Sequence, residues 1–118
     1  MKARQRAWRR GRRAETLCVW LLRLKGYRIL ARGFRVPVGE IDIVARKGRV
    51  LVVIEVKARA SRELAAEAIT PRQRDRISRA AAAYLAQNPR LADLGVRFDA
   101  MLLTPRRPPA HIVDAWRV

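Results

Sequence analysis

The segment 49–57 constrains the fold more than any other part of the chain, because it joins an apolar run to an acid and a base. Val50-Leu51-Val52-Val53-Ile54 is apolar at every position, whereas a strand with one solvated face would alternate. We therefore predict a central strand covered on both faces. Glu55 and Lys57 lie at the end of this strand, where acids are disfavoured and an unpartnered buried carboxylate is costly.

Hydrophobic periodicity predicts one helix and three strands in the first half of the chain. They are a helix over 14–25 and strands over 27–36, 40–46 and 49–57. Gly26 is placed to end the helix, Gly33 is a candidate bulge, and Lys47-Gly48 is a candidate two-residue turn.

In the second half, Thr70, Pro71 and Gln73 predict a helix start with a capping box, and the helix ends before Asn88-Pro89. Strands are predicted over 96–104 and, at a sheet edge, over 111–118. Residues 58–69 fit either a polar loop or a short helix. The order of helix, three strands, helix and strand predicts a mixed α/β layer fold.

The chain is strongly basic, with 27 Lys and Arg against 10 Asp and Glu and a net charge of +17. Such self-repulsion does not stabilise a compact state, so we expect it to attract a polyanion such as nucleic acid. Residues 1–13 hold seven basic residues and no acid. They fit either a disordered tail or a nucleic-acid-binding arm, ahead of a single domain over 14–118.

Several protein classes are excluded by composition. The single cysteine, Cys18, excludes an internal disulfide framework and a Cys-based zinc site. The apolar run 17–22 is too short to span a bilayer and lacks the features of a signal peptide. We therefore expect a cytoplasmic protein without a membrane partner.

Hairpin geometry predicts that four charged side chains share one face: Glu40, Asp42, Glu55 and Lys57. With Lys47-Gly48 as the turn, Asp42 lies opposite Val53 and roughly 7 Å diagonally from Glu55. Two carboxylates so close repel each other unless a cation lies between them, and oxygen ligands suit Mg²⁺ or Mn²⁺ better than zinc. The alternative is that the acids pair with arginines or with Lys57.

The segments Gly39-Glu40-Ile41-Asp42 and Val53-Ile54-Glu55-Val56-Lys57-Ala58-Arg59 resemble the signature of the YraN-like family of uncharacterised bacterial proteins (UPF0102). The resemblance covers most of the chain, from Glu15 to His111-Ile112. It departs at Gly33 and Arg72, where the family is expected to carry Asn and Lys.

That family is grouped with the restriction-endonuclease-like fold, the PD-(D/E)xK nucleases that include archaeal Holliday-junction resolvases. The resemblance therefore implies a three-layer α/β fold, in which helices flank a central mixed β-sheet with an α-β-β-β-α-β core.

The same resemblance implies roles for individual residues. Asp42 and Glu55 would be ligands of Mg²⁺ or Mn²⁺, with the Val56 carbonyl as a third ligand. Lys57 would orient or deprotonate the attacking water and help to hold the phosphate. Glu15 matches a helical acid that completes such sites, or alternatively is an exposed acid in the first turn of its helix.

Further residues have supporting roles in this interpretation. Glu40 would support the ligands without binding the cation itself. Gln73 resembles a glutamine of resolvase-like relatives, although the capping box is the favoured interpretation. Asp99 and His111 are expected to be structural partners satisfied by an arginine. The arginines expected to contact nucleic acid are Arg9, Arg10, Arg12, Arg13, Arg59 and Arg72.

These residues predict a Mg²⁺-dependent endonuclease that hydrolyses phosphodiester bonds of DNA, with branched DNA as a candidate substrate. The alternative is a nucleic-acid-binding module with the same fold and no catalysis. A basic protein of an RNA assembly is a third hypothesis, which leaves the clustered acids unexplained. A homodimer is expected only by analogy with resolvases.

Overall fold

The computed structural model describes the backbone of residues 2–118 and the side chains of residues 11–118. In chain order the elements are α1 (Lys2–Leu24), β1 (Arg28–Val36), β2 (Gly39–Lys47), β3 (Val50–Ala58), α2 (Arg62–Glu67), α3 (Pro71–Gln87), a 3₁₀ turn (Pro89–Leu91), β4 (Gly95–Leu103) and β5 (Ala110–Trp116).

The strands form one mixed sheet in the order β1-β2-β3-β4-β5. The first three strands are antiparallel, β4 runs parallel to β3, and β5 is an antiparallel edge strand. The parallel pair requires a crossover, which α2 and α3 provide. Residues 51–54 are fully buried, which confirms that β3 is the central strand.

Helices cover both faces of the sheet, so the predicted three-layer α/β fold is confirmed. On one face, α1 packs Cys18, Val19 and Leu22 against alternate side chains of β2 and β3. On the other face, α3 packs Ile77 and Tyr84 against the remaining side chains of these strands. None of the described helices combines the length and the apolar composition that crossing a bilayer requires.

Helix α1 begins at Lys2, earlier than the predicted start at residue 14. Residues 2–13 carry no apolar period, but Ala, Arg, Gln and Lys are good helix formers and extend the helix. The predicted end is confirmed, because Gly26 adopts φ 87° and the Tyr27 amide donates to the Leu22 carbonyl at 2.9 Å.

Two local predictions about the strands were wrong. The bulge in β1 lies between Ile29 and Ala31 rather than at Gly33. In the β2–β3 hairpin, Lys47 pairs with Val50, so the turn residues are Gly48 and Arg49. Gly48 adopts φ 59°, which glycine tolerates without strain, and this later turn moves the β3 partner of each β2 residue by two positions.

Residues 58–69 contain the short helix α2, in which the Ser61 hydroxyl accepts the Leu64 amide at 3.2 Å. Of the two alternatives for this segment, the helix is therefore confirmed. Its six residues continue into α3 through Thr70, whose hydroxyl caps the Gln73 amide.

The contact between β2 and α3 leaves no room for a side chain at Gly39. A Cβ atom there would lie 2.2 Å from the Arg76 carbonyl oxygen, which belongs to the α3 backbone and cannot rotate away. We expect Gly39→Ala to lower the free energy of unfolding by about 2–3 kcal/mol, since the helix must shift. Denaturant titration followed by circular dichroism measures this loss.

The matched control is Gly11→Ala, because nothing lies within 4 Å of a Cβ at that helical position. This control should leave stability unchanged or raise it by up to about 1 kcal/mol. Equal effects of the two substitutions would show that the contact between β2 and α3 is looser than described.

Candidate functional site

A cleft of about 960 Å³ opens at the end of the sheet where β2 begins and where β3 and β4 end. The segment Ala58–Ala60 and the segment Leu103–Pro105 form part of its rim. The charged residues that line it are Arg12, Glu15, Arg35, Glu40, Asp42, Lys57 and Arg59. Most of the residues singled out from the sequence therefore meet in one cavity.

The cleft forms where β2 and β3 separate. Their paired register ends at Ile43 and Ile54, and one further step sets Asp42 across from Glu55. Beyond that point the Val56 amide donates to Asp42 Oδ2 at 2.8 Å instead of to a strand carbonyl. Asp42 therefore lies opposite Glu55, and not opposite Val53 as predicted, because the turn is one residue later.

The later turn moves the β3 partner of each β2 residue by two positions. Alternation along β2 is also broken at Asp42, because Ile41 packs with α3 whereas Ile43 packs with α1. The shared face of the four charged side chains therefore stays a prediction. Side chains of Glu55 and Lys57 follow Leu51 and Val53 on the face that α3 covers. The Asp42 carboxyl is close enough to that of Glu55 to raise its pKa. Asp42 lines the cleft, whereas Glu55 is buried beside Lys57 and is not among the residues that line it.

Burial dominates the electrostatics of this acid pair. Desolvation and the charge of Asp42 raise the pKa of Glu55 to about 8, although Lys57 acts in the opposite direction. Desolvation also raises the pKa of Asp42, and the hydrogen bond from the Val56 amide lowers it in part. The pair therefore favours holding a proton, or an equivalent positive charge, near neutral pH.

Lys57 is fixed between two acceptors. Its Nζ lies 3.2 Å from Glu55 Oε1. In the amide orientation that satisfies both groups, Gln73 Oε1 accepts from Lys57 Nζ at 3.1 Å while Gln73 Nε2 donates to the Ala68 carbonyl at 2.8 Å. An ammonium has three donors, so one is left for a group in the cleft.

Gln73 was assigned from the sequence to a capping box, and only half of that box is present. Thr70 Oγ1 accepts the Gln73 amide at 3.2 Å, as predicted. The Gln73 side chain turns instead to Lys57, which agrees with the supporting role that the family resemblance implied. No sequence signal separates these outcomes, because both use the same residue at the same helical position.

Glu15 lies on α1 at the cleft wall and is only 9% exposed. Its Oε1 accepts from Arg32 Nε at 3.1 Å. Because α1 begins at Lys2, Glu15 is not in the first helical turn, and that alternative was wrong. Its charge contributes to the raised pKa of Asp42, so the two acids are electrostatic neighbours.

Cys18 follows Glu15 by one helical turn and is fully buried. Desolvation, Asp42 and Glu15 together raise the pKa of its thiol to about 12. Such a thiol is a poor nucleophile, so the prediction that Cys18 belongs to the core agrees with its environment.

Glu40 lines the mouth of the cleft and pairs with Arg35 at 3.0 Å, with both side chains largely exposed. The alternative that the acids pair with an arginine or with Lys57 is therefore observed for Glu40 and for Glu55. The sequence did not single out Arg32 or Arg35 as the partners. Alternation along β1 was the only available signal, and the bulge between Ile29 and Ala31 obscures it.

Gly33 lies on β1 across from Asp42 and opens the cleft by lacking a side chain. Its φ of 62° is a conformation that glycine adopts freely and asparagine tolerates. The Gly of this chain and the Asn expected from the family resemblance both fit this conformation.

The predicted nucleic-acid contacts are distributed unevenly around the cleft. Arg12 and Arg59 line it, and Arg13 and Arg72 are exposed. The side chains of Arg9 and Arg10 lie outside the described residues.

Asp99 and His111 lie apart from the cleft, in a cluster defined here as Lys25, Tyr27, Arg97, Asp99 and His111. Both guanidinium donors of Arg97 reach the carboxylate at 2.9 Å, and His111 Nε2 lies 2.8 Å from it. Burial opposes ionisation, but these hydrogen bonds lower the pKa of Asp99 to about 2. The predicted partnership with an arginine is therefore present.

The carboxylate oxygens of Asp42 and Glu55 are the kind of ligand that a hard divalent cation takes. Mg²⁺ is commonly held by one or two carboxylates, with water and phosphate oxygens completing the shell. Among the residues whose side chains are described, no set of three or more acids, cysteines or histidines is arranged around one point. Val56 offers its amide to Asp42, and its carbonyl remains a predicted third ligand.

The sequence profile of the uncharacterised protein family UPF0102 matches residues 14–103, which include all the cleft residues from Glu15 to Leu103. The chain belongs to this family. It is 59% identical to a UPF0102 protein of Parvibaculum lavamentivorans over 94% of its own length and 84% of the relative.

Other UPF0102 proteins are similar over nearly the whole chain. One from Paramagnetospirillum magneticum is 53% identical over 99% of this chain and 94% of the relative. One from Chelativorans sp. is 46% identical over 97% of this chain and 92% of the relative. The membership predicted from the two hairpin motifs is thus confirmed, and the relatives' names state no activity.

The raised pKa of Glu55 predicts how stability depends on pH in the absence of divalent cations. Below pH 4.5 the carboxyl is protonated in both the folded and the unfolded chain. As pH rises to about 8, the unfolded chain ionises first, so stability is lost across this interval. Glu55→Gln should remove that loss and exceed the wild type by a few kcal/mol at pH 8.

Denaturant titrations in EDTA at pH 5 and pH 8 measure the effect. Glu67→Gln, which removes an exposed acid of α2, is the matched control and should follow the wild type. A wild-type stability that rises between these pH values relative to Glu55→Gln would mean that Glu55 is stabilised as a carboxylate.

Proposed function

We propose that this protein is a metal-dependent nuclease that hydrolyses phosphodiester bonds of DNA in the cleft between β2 and β3. The observation that carries the proposal is that buried Glu55 lies near the Asp42 carboxyl, which raises its pKa, with Lys57 Nζ 3.2 Å from Glu55. Such a pair is unfavourable as two bare anions. A divalent cation that also binds a phosphate would compensate both charges.

The chain's own residues suit hydrolysis of a phosphate ester. The remaining donor of Lys57 is placed to hold a phosphate oxygen or the attacking water. Gln73 keeps the ammonium in position, since it contacts Lys57 at 3.1 Å. Asp42 is held by the Val56 amide and cannot rotate without losing that bond. A bound divalent cation would supply Lewis acidity at the scissile phosphate.

The net charge of +17 supports a nucleic acid as the polyanionic substrate. Arginines at the cleft, such as Arg12 and Arg59, would contact the backbone without reading sequence. A DNA substrate would place the activity in the cytoplasm. Symmetrical cutting of branched DNA would need two copies of the chain, so the proposal includes a homodimer on such a substrate.

Cation binding is tested first by stability. Mg²⁺ or Mn²⁺ at ten times its Kd should raise the free energy of unfolding by about 1.4 kcal/mol, because only the folded chain assembles the site. Asp42→Asn should abolish this gain while keeping an oxygen for the Val56 amide. Glu40→Gln, which removes a surface acid at the mouth of the cleft, should retain it. If Asp42→Asn keeps the cation-dependent gain in the free energy of unfolding, the cation binds elsewhere.

Catalysis is tested with labelled four-way junction, flap, single-stranded and duplex DNA in Mg²⁺, Mn²⁺ or EDTA. We expect cation-dependent cleavage that falls by more than about 100-fold in Glu55→Gln, because the substitution removes a ligand rather than a supporting group. Affinity for DNA should change little, since the basic side chains are intact.

Asp42→Asn purified in the same way controls for a contaminating nuclease, and Glu67→Gln controls for loss of charge. Cleavage that survives in Glu55→Gln would contradict the assignment. Tight, cation-independent binding without cleavage would instead favour the nucleic-acid-binding module.

A further inference from the structure

Arginines on the two sides of the cleft differ in whether their charge is already compensated. On the β1 side, Arg32 pairs with Glu15 at 3.1 Å and Arg35 pairs with Glu40 at 3.0 Å. In each ion pair the acid compensates the charge of the arginine. The two arginines that β1 places at this side of the cleft, Arg32 and Arg35, are therefore compensated.

On the α3 side, Arg72 and Arg76 are exposed and have no acidic partner among the residues whose side chains are described. They are four residues apart on one helix, so they project on the same side, about 6 Å apart along the axis. Arg79 continues this row, but Asp75 compensates it at 3.1 Å. The uncompensated charge is thus confined to the first half of α3.

Two contacts place this half of α3 at the cleft. Gln73, between the two arginines, reaches Lys57 inside the site. The Arg76 carbonyl lies directly over Gly39, which precedes the cleft residue Glu40. The helix cannot move away without breaking both contacts, so the two guanidinium groups are carried on a rigid edge beside the cleft.

We infer that Arg72 and Arg76 form a phosphate-binding edge, along which the DNA backbone continues after it leaves the cleft. The inference rests on the proposed function and adds the direction of the substrate: over α3 and not over β1. Arginine is suited to this contact because its planar guanidinium binds phosphate oxygens in pairs. The compensated arginines of β1 would contribute little to binding.

The test is binding of fluorescent duplex DNA by the full chain in EDTA, measured by anisotropy between about 50 and 200 mM salt. Each lost phosphate contact should make the slope of log K against log salt shallower by about 0.9. For the double variant Arg72→Gln/Arg76→Gln, the slope of log K against log salt should therefore be shallower than that of the wild type by about 1.8. Its thermal unfolding should match the wild type, because both side chains are exposed.

Two double variants are matched controls. Arg49→Gln/Arg90→Gln removes the same charge from exposed arginines at the far end of the sheet and should leave the slope nearly unchanged. Arg35→Gln/Glu40→Gln removes a compensated pair without changing the net charge and should also leave it unchanged.

Equal losses in the α3 variant and the remote variant would overturn the inference, since they would reflect net charge alone. If the wild type cleaves DNA and the α3 double variant has the same salt slope as the wild type, the phosphate-binding edge is overturned and the proposed nuclease stands. A wild type that neither binds nor cleaves DNA would overturn both.

Discussion

The hydrogen bond from the Val56 amide to Asp42 is the interaction on which the cleft depends. Past Ile43 and Ile54 the two strands no longer pair, and an amide in the middle of a sheet would be left without an acceptor. The Asp42 carboxylate takes that place at 2.8 Å. It therefore stabilises the separation of the strands and, by the same bond, holds the partly buried Asp42 carboxylate in position.

The surroundings of the acid pair show how a basic chain tolerates buried negative charge. Lys57 pairs with Glu55, and Arg32 pairs with Glu15. Among the described side chains, Asp42 forms no ion pair and accepts from the Val56 amide. The pKa of Glu55 stays raised although Lys57 pairs with it, whereas Arg97 and His111 lower the pKa of Asp99. This difference separates a candidate site from a structural cluster that contains the same kinds of residue.

The sequence was sufficient to predict the layers and the central position of β3, because these depend on the apolar pattern along the chain. It was not sufficient to predict the hairpin register, since Lys47-Gly48 and Gly48-Arg49 are similar as turns. The pairing of Glu15 with Arg32 depends on how α1 crosses β1, which no periodicity encodes. The direction of the Gln73 side chain depends on a contact made only after α3 packs.

The contacts of the cleft join residues that are close along the chain. Val56 and Asp42 are 14 residues apart, and Arg32 and Glu15 are 17 apart. In contrast, Arg97 and Tyr27 are 70 residues apart, and Lys25 and His111 are 86 apart. Short closures lose less chain entropy than long ones. A ribosome that has released the first three strands and α3 has therefore already supplied every charged residue of the cleft, whereas the Asp99 cluster must wait for nearly the whole polypeptide.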